Sequence, residues 1–92
     1  MGGMAVCKHV TYSGHVQGVG FRYAVQNLAE DFPVKGFVRN LPSGQVELVA
    51  EGEPGPVEAF LAAVERRMAD YIQQKSERDG DSCGYHGFRI RY

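Results

Sequence analysis

The chain has 92 residues, of which 43% are hydrophobic and 11% aromatic, enough apolar material for one compact core and too much for a disordered segment. Ten basic and eleven acidic side chains leave a formal charge of −1 with no basic block, which excludes the long-range field of a nucleic-acid binder but not local donors for a small anion. No run approaches the roughly 18 apolar residues of a membrane span, and Met1-Gly2-Gly3-Met4-Ala5-Val6 fits neither a secretory signal nor, with Val6 where Ser or Thr is needed, a myristoylation pattern.

Residues 5–13 alternate loosely, with Val6, Val10 and Tyr12 on one parity and Lys8 between them. That predicts a strand with one buried face. Residues 14–20 are Gly-rich and irregular. From Phe21 the period changes: Phe21, Ala24, Val25, Leu28 and Phe32 make a helical stripe, which Pro33 stops. Residues 35–40 read as a second strand, Leu41-Pro42-Ser43-Gly44 as a hairpin turn, and residues 45–51 as a third strand. Gly52-Glu53-Pro54-Gly55-Pro56 breaks the pattern, with Pro56 suited to the first turn of a helix. Val57, Phe60, Leu61, Val64 and Met68 then mark a second amphipathic helix. Residues 71–77 can form a fourth strand, residues 78–86 are polar and loop-like, and Phe88-Arg89-Ile90-Arg91-Tyr92 alternates as a final strand. Two helices with one apolar stripe each must cover one face of a sheet. The expected class is α+β, a ferredoxin-like split βαβ sandwich with both helices on one face of a four- to five-stranded, mainly antiparallel sheet.

The informative segment is Gly14-His15-Val16-Gln17-Gly18-Val19-Gly20-Phe21-Arg22, a strand-to-helix turn. A helix start presents unpaired N–H groups and a partial positive charge, and glycines let several N–H groups converge on an anion. Arg22 stands beside them with a planar fork that matches phosphate oxygens. Tyr23 occupies the slot where a dinucleotide fingerprint needs glycine, and no Gly-Lys-Ser/Thr follows, so neither nucleotide motif applies. Composition alone leaves two readings open, a phosphate cradle or a loop that only reverses the chain.

The same segment resembles the acylphosphatase signature Gly-x-Val-Gln-Gly-Val-x-Phe-Arg at every defined position. Gly36-Phe37-Val38-Arg39-Asn40-Leu41-Pro42-Ser43-Gly44-Gln45-Val46-Glu47 is similar to that family's second signature, and the Arg22 to Asn40 interval fits its spacing. The likeness spans roughly residues 6–65 and 87–92. Between them the chain departs: Glu65-Arg66-Arg67-Met68-Ala69-Asp70-Tyr71 stands where many members have Gly-Pro before the fourth strand.

The resemblance implies one acylphosphatase-like domain over residues 1–92, a cytoplasmic monomer with no nucleic-acid or membrane partner. The implied activity is hydrolysis of acyl phosphates to carboxylate and inorganic phosphate, the latter also an inhibitor. It implies that Arg22 binds the substrate phosphate and that the backbone of His15, Val16, Gln17, Gly18 and Val19 completes the cradle. Asn40 would hold the attacking water. No cofactor or metal is expected: neither signature holds an Asp, Glu47 lies past Asn40, and no Cys or Ser nucleophile sits in the cradle. A carboxylate leaving group is good enough that holding the water and neutralising phosphate charge can suffice, with a substrate oxygen taking the water's proton.

Of the remaining residues, His15 is expected to face solvent, His9 to lie on a strand face and His86 in a loop. Arg39 should point away from Asn40 by alternation. Arg66 and Arg67 read as a solvated helix end, and Arg89 and Arg91 as one face of an edge strand. Cys7 and Cys83 read as reduced thiols dispensable for catalysis, with a disulfide between them the alternative. The carboxylate after Tyr92 is expected near the cradle, aiming Arg22. Two other functions compete: the phosphate-cradle domain of hydrogenase-maturation carbamoyltransferases, disfavoured by the short chain, and a non-catalytic ferredoxin-like regulatory module, disfavoured by the presence of both Arg22 and Asn40.

Overall fold

In the computed structural model, which describes residues 5–80 and 84–92, the chain runs β1 (Val6–Gly14), α1 (Phe21–Ala29), β2 (Lys35–Asn40), β3 (Val46–Gly52), α2 (Pro54–Arg67), β4 (Ile72–Gly80) and β5 (Phe88–Arg91). The strands form one sheet in the order β4-β1-β3-β2-β5. β1 pairs antiparallel with β3 and β4, β2 pairs antiparallel with β3, and β5 lies parallel to β2. This is the expected split βαβ sandwich, extended at one edge by a fifth, parallel strand. Among the described residues no helix is long and apolar enough to cross a membrane.

Strand alternation divides the apolar side chains between two faces. Val10, Tyr12, Val38, Leu48 and Ala50 point to the helices, where they meet Phe21, Val25, Val57, Phe60 and Val64 in one buried cluster. Burying each of the valine, leucine and phenylalanine side chains among these stabilises the fold by about 1.5–3 kcal/mol before entropy is counted. Cys7, Phe37 and Val49 point the other way and are covered by Tyr85, on the segment that leads into β5. The helix-free face is therefore partly roofed by that connection. Cys7 Sγ lies 3.7 Å from His9 Nε2. Cys83, the other half of the disulfide considered above, lies outside the described residues, as do residues 1–4.

The boundaries differ from the periodicity by more than one residue in three places. The stripe in α1 runs to Phe32, but the helix ends at Ala29. The N–H groups of Glu30, Asp31 and Phe32 bond back to Asn27, Leu28 and Ala29 carbonyls three residues earlier. This tightened turn precedes Pro33, whose ring disfavours α geometry in the residue before it. Phe32 still reaches the core, 5.7 Å from the Phe60 ring. α2 starts two residues early, at Pro54, because either proline is tolerated where helix N–H groups lack partners anyway. β4 runs to Gly80 rather than residue 77, and residues 78–80 pair with Cys7, Lys8 and His9. Its side chains are exposed along nearly its whole length, so backbone pairing with β1 defines it and no alternation marks it. A polar edge strand of this kind also discourages pairing with other chains.

Candidate active site

β1 and β2 both pair antiparallel with β3, so they run in the same direction and end at the same end of the sheet. The register fixes the level: Val46 of β3 lies opposite Tyr12 of β1 and Asn40 of β2. Two strand spacings separate Asn40 from β1, roughly 9–10 Å between backbones. The β1–α1 loop leaves β1 at Gly14 on that end, and α1 begins above it.

The loop is held from below and left open above. The Val16 side chain is fully buried in the core and Val19 packs against it. Gly14 has φ 131°, and a Cβ there would stand 2.5 Å from the Tyr71 carbonyl oxygen, so the turn out of β1 needs glycine. His15 N–H donates to that same carbonyl at 3.0 Å. The N–H groups of residues 16–19 donate to no backbone or side-chain acceptor among the described residues. Gly20 caps α1 in the left-handed region at φ 77° and brings no capping side chain, so the first turn of the helix also keeps its N–H groups unspent. A loop with free donors in front of a helix N-terminus attracts an anion.

Arg22 is half-buried in that first turn. Its guanidinium lies over the Tyr92 ring, 5.0 Å from the centroid, and the Tyr92 hydroxyl is 3.4 Å from that of Tyr23. The contact is thus made by the ring, whereas the expectation placed the terminal carboxylate there. Among the described residues no carboxylate lies within ion-pair distance of Arg22. A stacked guanidinium keeps the N–H groups on its edge available for an oxyanion.

Asn40 is half-buried at the end of β2, and its amide has no hydrogen-bond partner among the described residues. By alternation it shares the helix-facing side with Val38. Arg39 points to the other side, where Nε donates to Glu47 Oε1 at 2.6 Å. His15 is exposed, with its ring 6.4 Å from that of Tyr71. His9 lies on β1 and His86 in the segment before β5, while Arg66 and Arg67 are exposed in the last turn of α2.

Sequence reasoning missed one side chain here. Gln17 counted only as backbone, yet its amide nitrogen donates to the carbonyls of Leu41 at 2.9 Å and Gln45 at 2.8 Å. It straps the loop to the hairpin that carries Asn40. A long polar side chain directly after the buried Val16 was the available signal. The large exposed apolar side chains among the described residues, Tyr23, Tyr71 and Tyr92, all stand around this loop. No three His, Cys, Asp or Glu side chains gather as metal ligands among the described residues.

Residues 8–90 match the acylphosphatase family model. An acylphosphatase of Methanospirillum hungatei is 46% identical over 81 residues, covering 86% of this chain and 89% of that protein. One of Nocardioides sp. is 40% identical over 98% of this chain and 92% of its own length. Among solved structures, the Bacillus subtilis acylphosphatase superposes with a TM-score of 0.84 at 34% identity, covering 97% of this chain and all of that one.

Proposed function

The chain belongs to the acylphosphatase family and is an enzyme of that family, and from that premise we propose how its residues hydrolyse the carboxyl–phosphate bond. The observation that carries the reading is the set of unspent N–H groups of residues 16–19, gathered beside Arg22 in front of α1.

In this reading the phosphate of an acyl phosphate settles on the loop. His15, Val16, Gln17, Gly18 and Val19 surround it, with the donors of residues 16–19 free and that of His15 already given to Tyr71. Arg22 supplies two edge N–H groups to phosphate oxygens and neutralises the charge that develops there. Asn40 holds a water through its side-chain amide, in line with the bond to be broken. Attack forms the new P–O bond and releases the carboxylate, and a phosphate oxygen accepts the water's proton. Inorganic phosphate leaves the cradle last and competes with substrate for it. The substrate is a small molecule, and the chain acts as a cytoplasmic monomer.

The test is hydrolysis of benzoyl phosphate with and without a chelator. Equal rates are expected, with competitive inhibition by inorganic phosphate. Activity that only added metal restores would overturn the mechanism, and uncompetitive phosphate inhibition would overturn the shared cradle.

A further inference from the structure

The helix-free face carries a second cluster of donors that the chemistry above does not use. Ile90 of β5 packs into the helix-side core, so Arg89 and Arg91 both point to the opposite face, and both are exposed. They line a cleft of about 320 Å³ together with His86 and Tyr85, while glycines 84 and 87 add no side chain to it. Alternate residues of one strand stand roughly 6.6–6.8 Å apart, which puts two arginines at neighbouring positions of one face.

Three bases have acidic partners among the described residues: Lys8 with Asp79, Arg39 with Glu47, Lys75 with Glu65. Neither Arg89 nor Arg91 has one within ion-pair distance among the described residues. Arg91 is nevertheless held in place. Its guanidinium lies 4.0 Å from the centroid of Phe37 and 5.8 Å from that of Tyr85, which leaves its edge N–H groups outward. The cleft wall is fixed too: Tyr85 packs edge-on to Phe37 at 5.8 Å, and the N–H groups of Gly84 and Tyr85 donate to Glu51 at 3.4 and 3.1 Å. Glu51 is 6% exposed, so that carboxylate is turned into the sheet and clamps the segment.

We propose that this cleft is a second anion site, one that takes a small molecule with two neighbouring anionic groups, such as a diphosphate. Each group meets one guanidinium fork, and charge-assisted bonds of this geometry are the strong ones. The site is separate from the cradle. It lies on the helix-free face and runs from Gly36, near the start of β2, along β5 to Arg91, level with Arg39, whereas the cradle stands beyond Gly14 in front of α1, on the helix side of the sheet. It does not depend on how the acyl phosphate is hydrolysed.

The experiment is a titration of the full, isotope-labelled chain with inorganic diphosphate, following backbone amide shifts. Gly84, Gly87 and Arg89 report the cleft, and Gly18 reports the cradle. Two independent saturation curves are expected. Replacing both arginines, Arg89→Gln with Arg91→Gln, should weaken the cleft curve about tenfold or more, as loss of charge-assisted bonds implies, and leave the Gly18 curve unchanged. Arg89→Gln alone, which leaves the Arg91 stack intact, should still weaken it several-fold. Sulfate offers one group and should bind the cleft several-fold more weakly than diphosphate. Cleft amides that do not move, that move only in step with Gly18, or that saturate equally in the arginine variants would overturn the proposal.

Discussion

The Gln17 side-chain nitrogen lies 2.9 Å from the Leu41 carbonyl oxygen, which ties the β1–α1 loop to the residue that follows Asn40. The same nitrogen reaches Gln45, and the Gln45 side chain in turn donates to Ser13 Oγ at 2.8 Å. Loop, hairpin and the end of β1 thus share one polar network. Gln17→Leu should remove one of two donors from each carbonyl, since Leu41 O keeps the Gly44 N–H and Gln45 O keeps the Leu41 N–H, and should cost about 0.5–1.5 kcal/mol. Because the loop N–H groups remain, phosphate inhibition should change little. Asn40 would lose its support, and kcat should fall about tenfold to a hundredfold, the cost of misplacing a reacting group by a fraction of an ångström to one ångström. Parallel losses of kcat and phosphate affinity would show that Gln17 shapes the cradle rather than the hairpin.

Arg22 and Asn40 should separate in kinetics. In the proposed mechanism Arg22 meets phosphate in the ground state and in the transition state, while Asn40 meets a water whose position matters chiefly in the latter. Arg22→Gln should therefore abolish both turnover and phosphate inhibition. Asn40→Ala should lower kcat by about 10²–10³ and keep near-normal phosphate binding. Steady-state rates and phosphate inhibition constants check this, with circular dichroism confirming the fold. If Asn40→Ala loses phosphate as fully as Arg22→Gln does, Asn40 belongs to the cradle.

Tyr92 acts on Arg22 through its ring. Tyr92→Ala should weaken phosphate inhibition about two- to fivefold, the size of an exposed cation–π contact, and raise KM by a similar factor. Tyr92→Phe keeps the ring and should stay close to wild type. Equal losses in the two variants would assign the effect to the hydroxyl contact with Tyr23.

Tyr12 couples the core to pH. Its hydroxyl donates to Glu65 at 3.0 Å. Burial, with the Glu65 charge adding to it, pushes the Tyr12 phenol well above its ordinary value of 10.0. A raised folded value means that the unfolded chain loses this proton first. The stabilisation is complete below pH about 10 and declines as the pH rises further. Urea midpoints should hold up to that point and fall beyond it. Tyr12→Phe should lower the plateau by about 1 kcal/mol and flatten the alkaline decline. An unchanged slope would mean that the lysines paired with Asp79 and Glu65 govern that limb, since their values are raised as well.

Periodicity is a property of neighbours along the chain, and what depended on it was legible. The stripes from Phe21 and Val57, the glycines at 14, 18 and 20, and the turn at Pro42-Ser43-Gly44 placed two helices, the strand-to-helix turn and the hairpin, while the reading of that turn as a candidate cradle came from its resemblance to the family signature. The alternation at Phe88 likewise placed Arg89 and Arg91 on one face. Partners distant in sequence were not legible, because pairing energy is spread over a backbone that every residue shares. β4 carries no apolar pattern and exists because β1 offers it a ladder. The helix end at Ala29 was decided by the turn that Pro33 requires. Gln17 found Leu41 across 24 residues, and Arg22 met a ring where a carboxylate was expected. Both contacts arise only when parallel-running β1 and β2 bring their ends to one side of the sheet and β5 runs up beside them. The residue types were local information; which of them meet was set by the order β4-β1-β3-β2-β5.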